Sequence, residues 1–144
     1  MYLLDTNVVS EIRKRRPHVG AMNWIRSVSP LGLYVCAVTV AEIQAGIEIT
    51  REQDAAKAAE LEAWLEEMIT VFPVLPMDTQ SFRIWARLMH RRSQTLYEDA
   101  MIAAIATANR LTIASRNVAD FRALGVSVIN PFSSRDTTPP RAFP

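Results

Sequence analysis

The chain has 144 residues, 49% hydrophobic and 22% charged, with 16 Lys and Arg against 15 Asp and Glu. This size and balance point to one globular domain with a proper core and exclude a disordered chain. A net charge of +1 sets up no molecule-wide field toward nucleic acid or membrane, so any polyanionic partner has to be held by a local basic patch or a metal. The single cysteine, Cys36 in the apolar run LYVCAV, excludes an internal disulfide and a cysteine-based zinc site and reads as a core residue. Asp5 interrupts any N-terminal signal pattern, and the longest apolar run, MIAAIATA, falls far short of the ~20 residues of a membrane helix; the expected setting is a reducing cytoplasm, with no membrane partner.

In chain order, Tyr2–Leu4 reads as a short strand followed by a helix over about Asn7–Arg13. Beyond Pro17, Ala21–Val28 reads as a second helix around Trp24 and Ile25, and Leu33–Val38 as the next strand. A third helix follows from Thr39 to about Thr50, and a fourth helical stretch, rich in Ala and Glu, spans Asp54–Ile69 with Leu61, Trp64, Leu65 and Met68 on one face. Pro73 and Pro76 bracket the strand Val74–Leu75, and Asp78 or Thr79 caps a helix ending near Arg92. Glu98–Ala108 is helical, Leu111–Ala114 a strand, SRNVAD a polar corner and Val126–Ile129 the last strand. The alternation predicts an α/β sandwich with a mainly parallel sheet and helices on both faces. The Pro-, Ser- and Thr-rich tail, residues 133–144, is expected to be flexible and to lie outside a single domain of residues 1–132.

In such a sheet, ligands bind beyond the carboxyl ends of the strands. Asp5 follows the first strand, Glu42 lies just past the second, and Asn117 and Asp120 sit in the corner after Leu111–Ala114. Asp99 opens the MIAAIA helix, and its place relative to the sheet is not given by topology. Each has a plainer reading. Asp5 serves equally well as a helix cap, TVAE fits a capping box with Thr39 as cap and Glu42 reaching back, Asp99 beside Glu98 suits a helix N-terminus, and Asp120 suits a loop. Asp78 reads as a cap, and His18 and His90, in basic contexts, as surface residues. Convergence changes the balance. Two carboxylates within ~4 Å repel by about 4 kcal/mol at an effective dielectric near 20, so a convergent set is either partly protonated or neutralised by a cation. Oxygen-only donors suit Mg²⁺ or Mn²⁺, whose chemistry beside a phosphodiester is phosphoryl transfer or hydrolysis.

LLDTNVVSEI, VTVAEIQAGI, EDAMIAAIA and LTIASRNVADF, in that order, together resemble the PIN-domain ribonucleases, more narrowly the VapC-type toxins of bacterial toxin–antitoxin pairs in the FitB-like subgroup. The resemblance runs from Met1 to about Phe132, closing on VINPF. It implies a three-layer α/β/α sandwich around four to five strands, Mg²⁺ or Mn²⁺ held by clustered acids, and endonucleolytic cleavage of RNA. It also implies a homodimer and a higher assembly with a cognate antitoxin that blocks the site. Asp5, Glu42 and Asp99 match the three acids of the family, and Thr6 and Asn7 the polar residues that support the first. Two departures stand out. Where many members carry a fourth acid two residues after a threonine, this chain has Ser115, Arg116 and Asn117, so Asp120 becomes the candidate fourth acid. The segment RRSQTLYED is also short beside the glycine-containing loop usual before the third acid.

Arg13, Lys14, Arg15 and Arg16 form the dense basic run, and Arg91, Arg92 and Arg116 add further candidates for RNA phosphates; the plain alternative is a set of solvated helix ends. Two other functions fit the same residues: a structure-specific DNA nuclease, and a non-catalytic protein that binds an antitoxin or nucleic acid. A magnesium-dependent phosphatase fits less well, because no second aspartate follows two residues after Asp5.

Overall fold

The computed structural model describes residues 1–133. Five strands, β1 (Tyr2–Leu4), β2 (Leu33–Cys36), β3 (Val74–Leu75), β4 (Thr112–Ala114) and β5 (Val128–Ile129), form one sheet in the order β3-β2-β1-β4-β5, and all four pairings are parallel. Seven α-helices surround it: α1 (Thr6–Ile12), α2 (Val19–Ser27), α3 (Ala37–Gln53), α4 (Ala55–Val71), α5 (Thr79–Met89), α6 (Tyr97–Ala108) and α7 (Val118–Ala123). The expected sandwich with a parallel sheet is therefore present, with five strands. The tail expected to be flexible lies, from residue 134 onward, outside the described residues.

Alternation along each strand builds two cores. Leu3, Cys36 and Ile113 point to one face, where Ala100, Ile102, Ala103, Ile105 and Ala106 of α6 and Phe121 of α7 cover them. Their neighbours Leu4, Val35 and Ala114 point to the other, against Val8 and Val9 of α1, Trp24 of α2, Ile47 of α3 and Leu65 of α4. Leu3 and Leu4, on opposite faces of β1, are both completely buried, which is why the strand is an unbroken apolar run. Cys36 is in the core as expected. Among the described residues no helix is long and apolar enough to cross a membrane.

Several boundaries differ from the sequence reading, each for a local reason. The second strand passes directly into α3 at Ala37, two residues before Thr39, so the capping box is overturned. Cys36 occupies the cap position without a side-chain bond, and Thr39 lies inside the first turn, fully buried. The helix expected to reach Arg92 stops at Met89, because His90 leaves helical geometry with ψ 118° and Arg91 follows in a left-handed φ of 61°, a tight turn closed by the Arg92 amide on the Met89 carbonyl. Part of the SRNVAD corner coils into α7. The short segment before Asp99 is a 3-10 turn, Gln94–Leu96, capped by the Ser93 hydroxyl accepting from the Thr95 amide, and it feeds α6 without an open loop. Asp78 caps α5 as expected, its Oδ1 accepting from the Ser81 amide at 2.8 Å.

Candidate active site

Parallel pairing places the last residues of β1, β4 and β5 (Leu4, Ala114 and Ile129) in register at one edge. The Asp5 amide extends this by donating to the Ala114 carbonyl at 3.0 Å, so Asp5 and Ser115 emerge side by side although 110 residues separate them. Asp5 is only 5% exposed. Its Oδ1 accepts from the Thr6 amide at 2.8 Å, and its Oδ2 from the Ser115 hydroxyl at 2.6 Å and the Asn7 amide at 3.2 Å. The first of these is the helix cap, and the Ser115 bond ties the ends of β1 and β4 together, so the cap and the site are the same residue. Asn7 in turn accepts from the Arg116 amide at 3.1 Å, and Ser115 from the Asn117 amide at 2.9 Å.

Two further acids face Asp5 from helices. Glu42, one turn into α3, and Asp99, in the first turn of α6, line a cavity of about 350 Å³ together with Asp5, Thr6, Asn7, Ser10, Glu98 and Asn117. Asp99, whose place was open, thus joins the same edge. Burial, followed by repulsion from Asp5, Glu98 and Asp99, pushes Glu42 up to about 7, and Thr6 partly offsets this by hydrogen bonding. Burial, followed by the charges of Asp5, Asp120 and Glu98, raises Asp99 to about 6, with Asn117 pulling it back. Burial also raises Asp5, against the opposing effect of its hydrogen bonds from Ser115, Thr6 and Asn7. All three carboxyls sit above their ordinary range, Asp5 through burial and Glu42 and Asp99 through burial together with neighbouring negative charge. The Thr6 hydroxyl donates to Thr39 at 3.2 Å, which accounts for the buried Thr39 once its capping role is set aside.

Asn117 and Asp120 play different parts. The Asn117 side-chain amide spans two carboxylates, donating to Asp99 Oδ2 at 2.9 Å and to Asp120 Oδ2 at 3.0 Å. Asp120 is therefore coupled to the site through Asn117 and is not one of the cavity-lining residues. Two lining residues were not singled out from sequence. Glu98 was set beside Asp99 only as a helix-dipole partner, and Ser10 follows Thr6 by one helical turn, which is the signal that it shares that face.

The basic candidates separate. Lys14 pairs with Glu11, a buried acid whose other oxygen accepts from the His18 amide at 2.9 Å; Lys14 and that amide hold Glu11 below its usual range. Arg116 lies over the Phe132 ring at 3.9 Å and within 4.0 Å of Glu11. Arg92 donates to the Ala123 carbonyl at 2.8 Å, and Arg91, Arg15 and Arg16 are exposed. Of the seven, Arg13 alone lines a cavity that adjoins the acids. Of the histidines, exposed His18 also caps α2, its Nδ1 accepting from the Ala21 amide at 3.2 Å, and His90 is exposed.

Oxygen donors and surplus negative charge are what a hard cation requires. Among the described residues, no three His, Cys, Asp or Glu side chains are gathered so that they could hold a metal ion together. A hard cation here would lean on one or two of these carboxylates and keep its waters, as Mg²⁺ can.

Comparison with known proteins agrees with this geometry. The chain is 38% identical over 143 residues to the plasmid stability protein StbB of Pseudomonas syringae pv. tomato, covering 93% of this chain and 100% of that protein. It is 32% identical over 143 residues to VapC ribonuclease Y4jK of Sinorhizobium fredii, covering 92% and 98%. To toxin FitB of Neisseria gonorrhoeae it is 32% identical over 139 residues, covering 92% and 99%, and the crystal structure of FitAcB from that organism matches with a TM-score of 0.81 over 92% of this chain and 99% of that one. Residues 2–126 match the PIN domain, which takes in every acid of the cavity and the whole β3-β2-β1-β4 core; the chain belongs to the PIN-domain family.

Proposed function

We propose that this chain is a metal-dependent endoribonuclease that hydrolyses RNA phosphodiester bonds and acts as the toxin of a toxin–antitoxin pair. The observation that carries this reading is the convergence of Asp5, Glu42 and Asp99, from three separate elements, on one open cavity where all three resist ionisation. Such a cluster costs stability and makes sense where a cation and a polyanion enter. Relatives named as a VapC ribonuclease and as a toxin support the substrate and the biological role.

Asp5 and Asp99 are the principal ligands of a divalent cation in this reading, with Glu42 and Asp120 completing or positioning the cluster. Bound Mg²⁺ or Mn²⁺ supplies Lewis-acid polarisation of the phosphodiester and cancels the mutual repulsion of the acids. Asp5 contributes a carboxylate already fixed by Ser115, Asn7 and the Thr6 amide, so little reorganisation accompanies binding. Glu42, poised near neutrality, takes a proton from an attacking water at its carboxyl oxygen, and Thr6 orients it. Asn117 holds Asp99 and Asp120 in place. The partners are an antitoxin, which occludes the cavity, and a second copy of the chain in a homodimer; the setting is cytoplasmic.

The test is cleavage of single-stranded RNA, with mapped products, in Mg²⁺ or Mn²⁺ and in EDTA, beside the Asp99→Asn protein. Cleavage should require the metal and vanish in the variant, whose melting temperature in EDTA should not fall. Undiminished cleavage in EDTA or by Asp99→Asn would sink the mechanism. Cleavage of flap DNA in preference to RNA would redirect it to a DNA nuclease.

A further inference from the structure

A second cavity, of about 270 Å³, adjoins the acid pocket between α1, α3 and α4. It shares Thr6, Ser10 and Glu42 with that pocket, and its further walls include Arg13, Gly46, Thr50 and Trp64. Glu42, Gly46 and Thr50 follow one another at four-residue intervals, so they form a single stripe of α3 leading away from the acids.

Gly46 is the telling residue. It lies inside a helix of 17 residues, where glycine is a poor helix former, yet a Cβ built on it meets no atom within 4 Å. No packing within the protein calls for its bareness, and it leaves the floor of the groove open. Arg13 stands at the rim with its guanidinium 5.9 Å from the centre of the Trp64 ring. Among the described residues no carboxylate pairs with Arg13, in contrast to Lys14, which is bound to Glu11, and Arg51, which joins Glu48 to Glu62. The Arg51–Glu62 pair and the Gln44–Glu62 hydrogen bond tie α3 to α4 and hold that wall together.

We infer that this groove seats the nucleotide next to the scissile phosphate, with its base over Gly46 and against Trp64 and its outer phosphate at Arg13. The inference rests on the ribonuclease reading, because it takes its register from a phosphodiester at the acids. An unpaired cation beside an aromatic ring is the equipment for single-stranded nucleic acid, where stacking and phosphate attraction act together. The Ser10 and Thr50 hydroxyls add hydrogen-bonding groups along the walls. A peptide segment of the antitoxin is the competing occupant, and the experiment separates the two.

Kinetics on a single-stranded RNA in Mn²⁺ test it with two variants. Gly46→Leu fills the groove while putting a better helix former into α3. It should lower kcat/KM by about tenfold or more, the scale of one lost base–aromatic stack, through KM, with kcat, Mn²⁺ affinity and melting temperature retained. Arg13→Gln should make the log–log salt dependence of RNA affinity shallower by about 0.7, the share of one phosphate on a single strand. Cleavage by wild type that neither variant alters overturns the groove assignment alone. So does Gly46→Leu lowering kcat and Mn²⁺ affinity together, or weakening antitoxin binding while KM for RNA stays put. A wild-type protein inert toward RNA overturns the ribonuclease reading itself.

Discussion

Raising the pH of the metal-free protein from 5 to 8 should lower its melting temperature, with Glu42 responsible for most of the change. The sign follows from the direction in which the site moves its carboxyls. Glu42 titrates at about 7 in the folded protein against 4.5 when exposed, and Asp99 at about 6 against 3.8. Between the exposed and folded values the unfolded chain has released its proton while the folded one keeps it, so stability falls as pH rises through that window. Each tenfold change in proton affinity corresponds to ~1.4 kcal/mol, which gives an upper bound of about 3 kcal/mol for Glu42. Water in the open pocket reduces this to about 1–2 kcal/mol. For Asp99 only the part of the window above pH 5 counts, adding less than about 1 kcal/mol. A total near 2 kcal/mol corresponds to roughly 6 °C for a chain of this size. Glu11, Glu48 and Asp78 are displaced downward, so their contribution has the opposite sign and is in place once the pH has passed the unfolded carboxyl values, at the acid end of this range. Circular dichroism melts in EDTA at pH 5, 6, 7 and 8, on wild type and Glu42→Gln, measure it. The variant should lose most of the slope, and Mn²⁺ at pH 8 should restore the wild-type melting temperature. A flat or rising wild-type profile, or a full slope in Glu42→Gln, would refute the account of the acid pocket.

Ser115→Ala leaves the buried Asp5 Oδ2 without its 2.6 Å donor, and it should cost about 1–3 kcal/mol of stability together with a loss of Mn²⁺ affinity; melts and calorimetric titration check both. Asn117→Asp replaces a donor that bridges Asp99 and Asp120 by a further negative charge, so the melting temperature in EDTA should fall while Mn²⁺ binds more tightly. No change in either quantity would mean that position 117 lies outside the cation's field. Glu11→Gln removes the charge that holds Lys14 and the His18 amide, and it should destabilise the fold by about 1–2 kcal/mol near neutrality while RNA cleavage by the folded protein stays close to wild type. A comparable loss of cleavage would give the Glu11 cluster a direct part in RNA binding.

What could be read from the residues in order was the local part of the design. Apolar runs such as YLL and TIA, the alanine- and glutamate-rich stretch of α4, and Asp78 ahead of an amphipathic helix all declare themselves within a few residues. The four motifs, taken together, resembled one family and pointed to Asp5, Glu42 and Asp99, which line the cavity, and to Asp120, which does not. The misread capping box shows where local patterns fail. TVAE satisfies a capping pattern, but β2 feeds α3 directly, and Thr39 is drawn into the core against Thr6, which belongs to another element. Local patterns compete, and a contact from elsewhere decides between them.

The chain order of elements, the buried character of β1 and the oxygen-only donor set were determined by the sequence itself, because each depends on side-chain chemistry and short-range periodicity. Which charges meet was decided only in three dimensions. Asp5 pairs with Ser115 across 110 residues, Asn117 turns to Asp99 and Asp120, and Glu98 and Ser10 enter the cavity although nothing within their motifs singles them out. The run RKRR, uniform in sequence, is divided by the fold into Arg13 at the groove, Lys14 on a buried glutamate, and two arginines in solvent. Electrostatic energy depends on distance and burial, and neither quantity exists until the sheet has brought its strand ends to one edge.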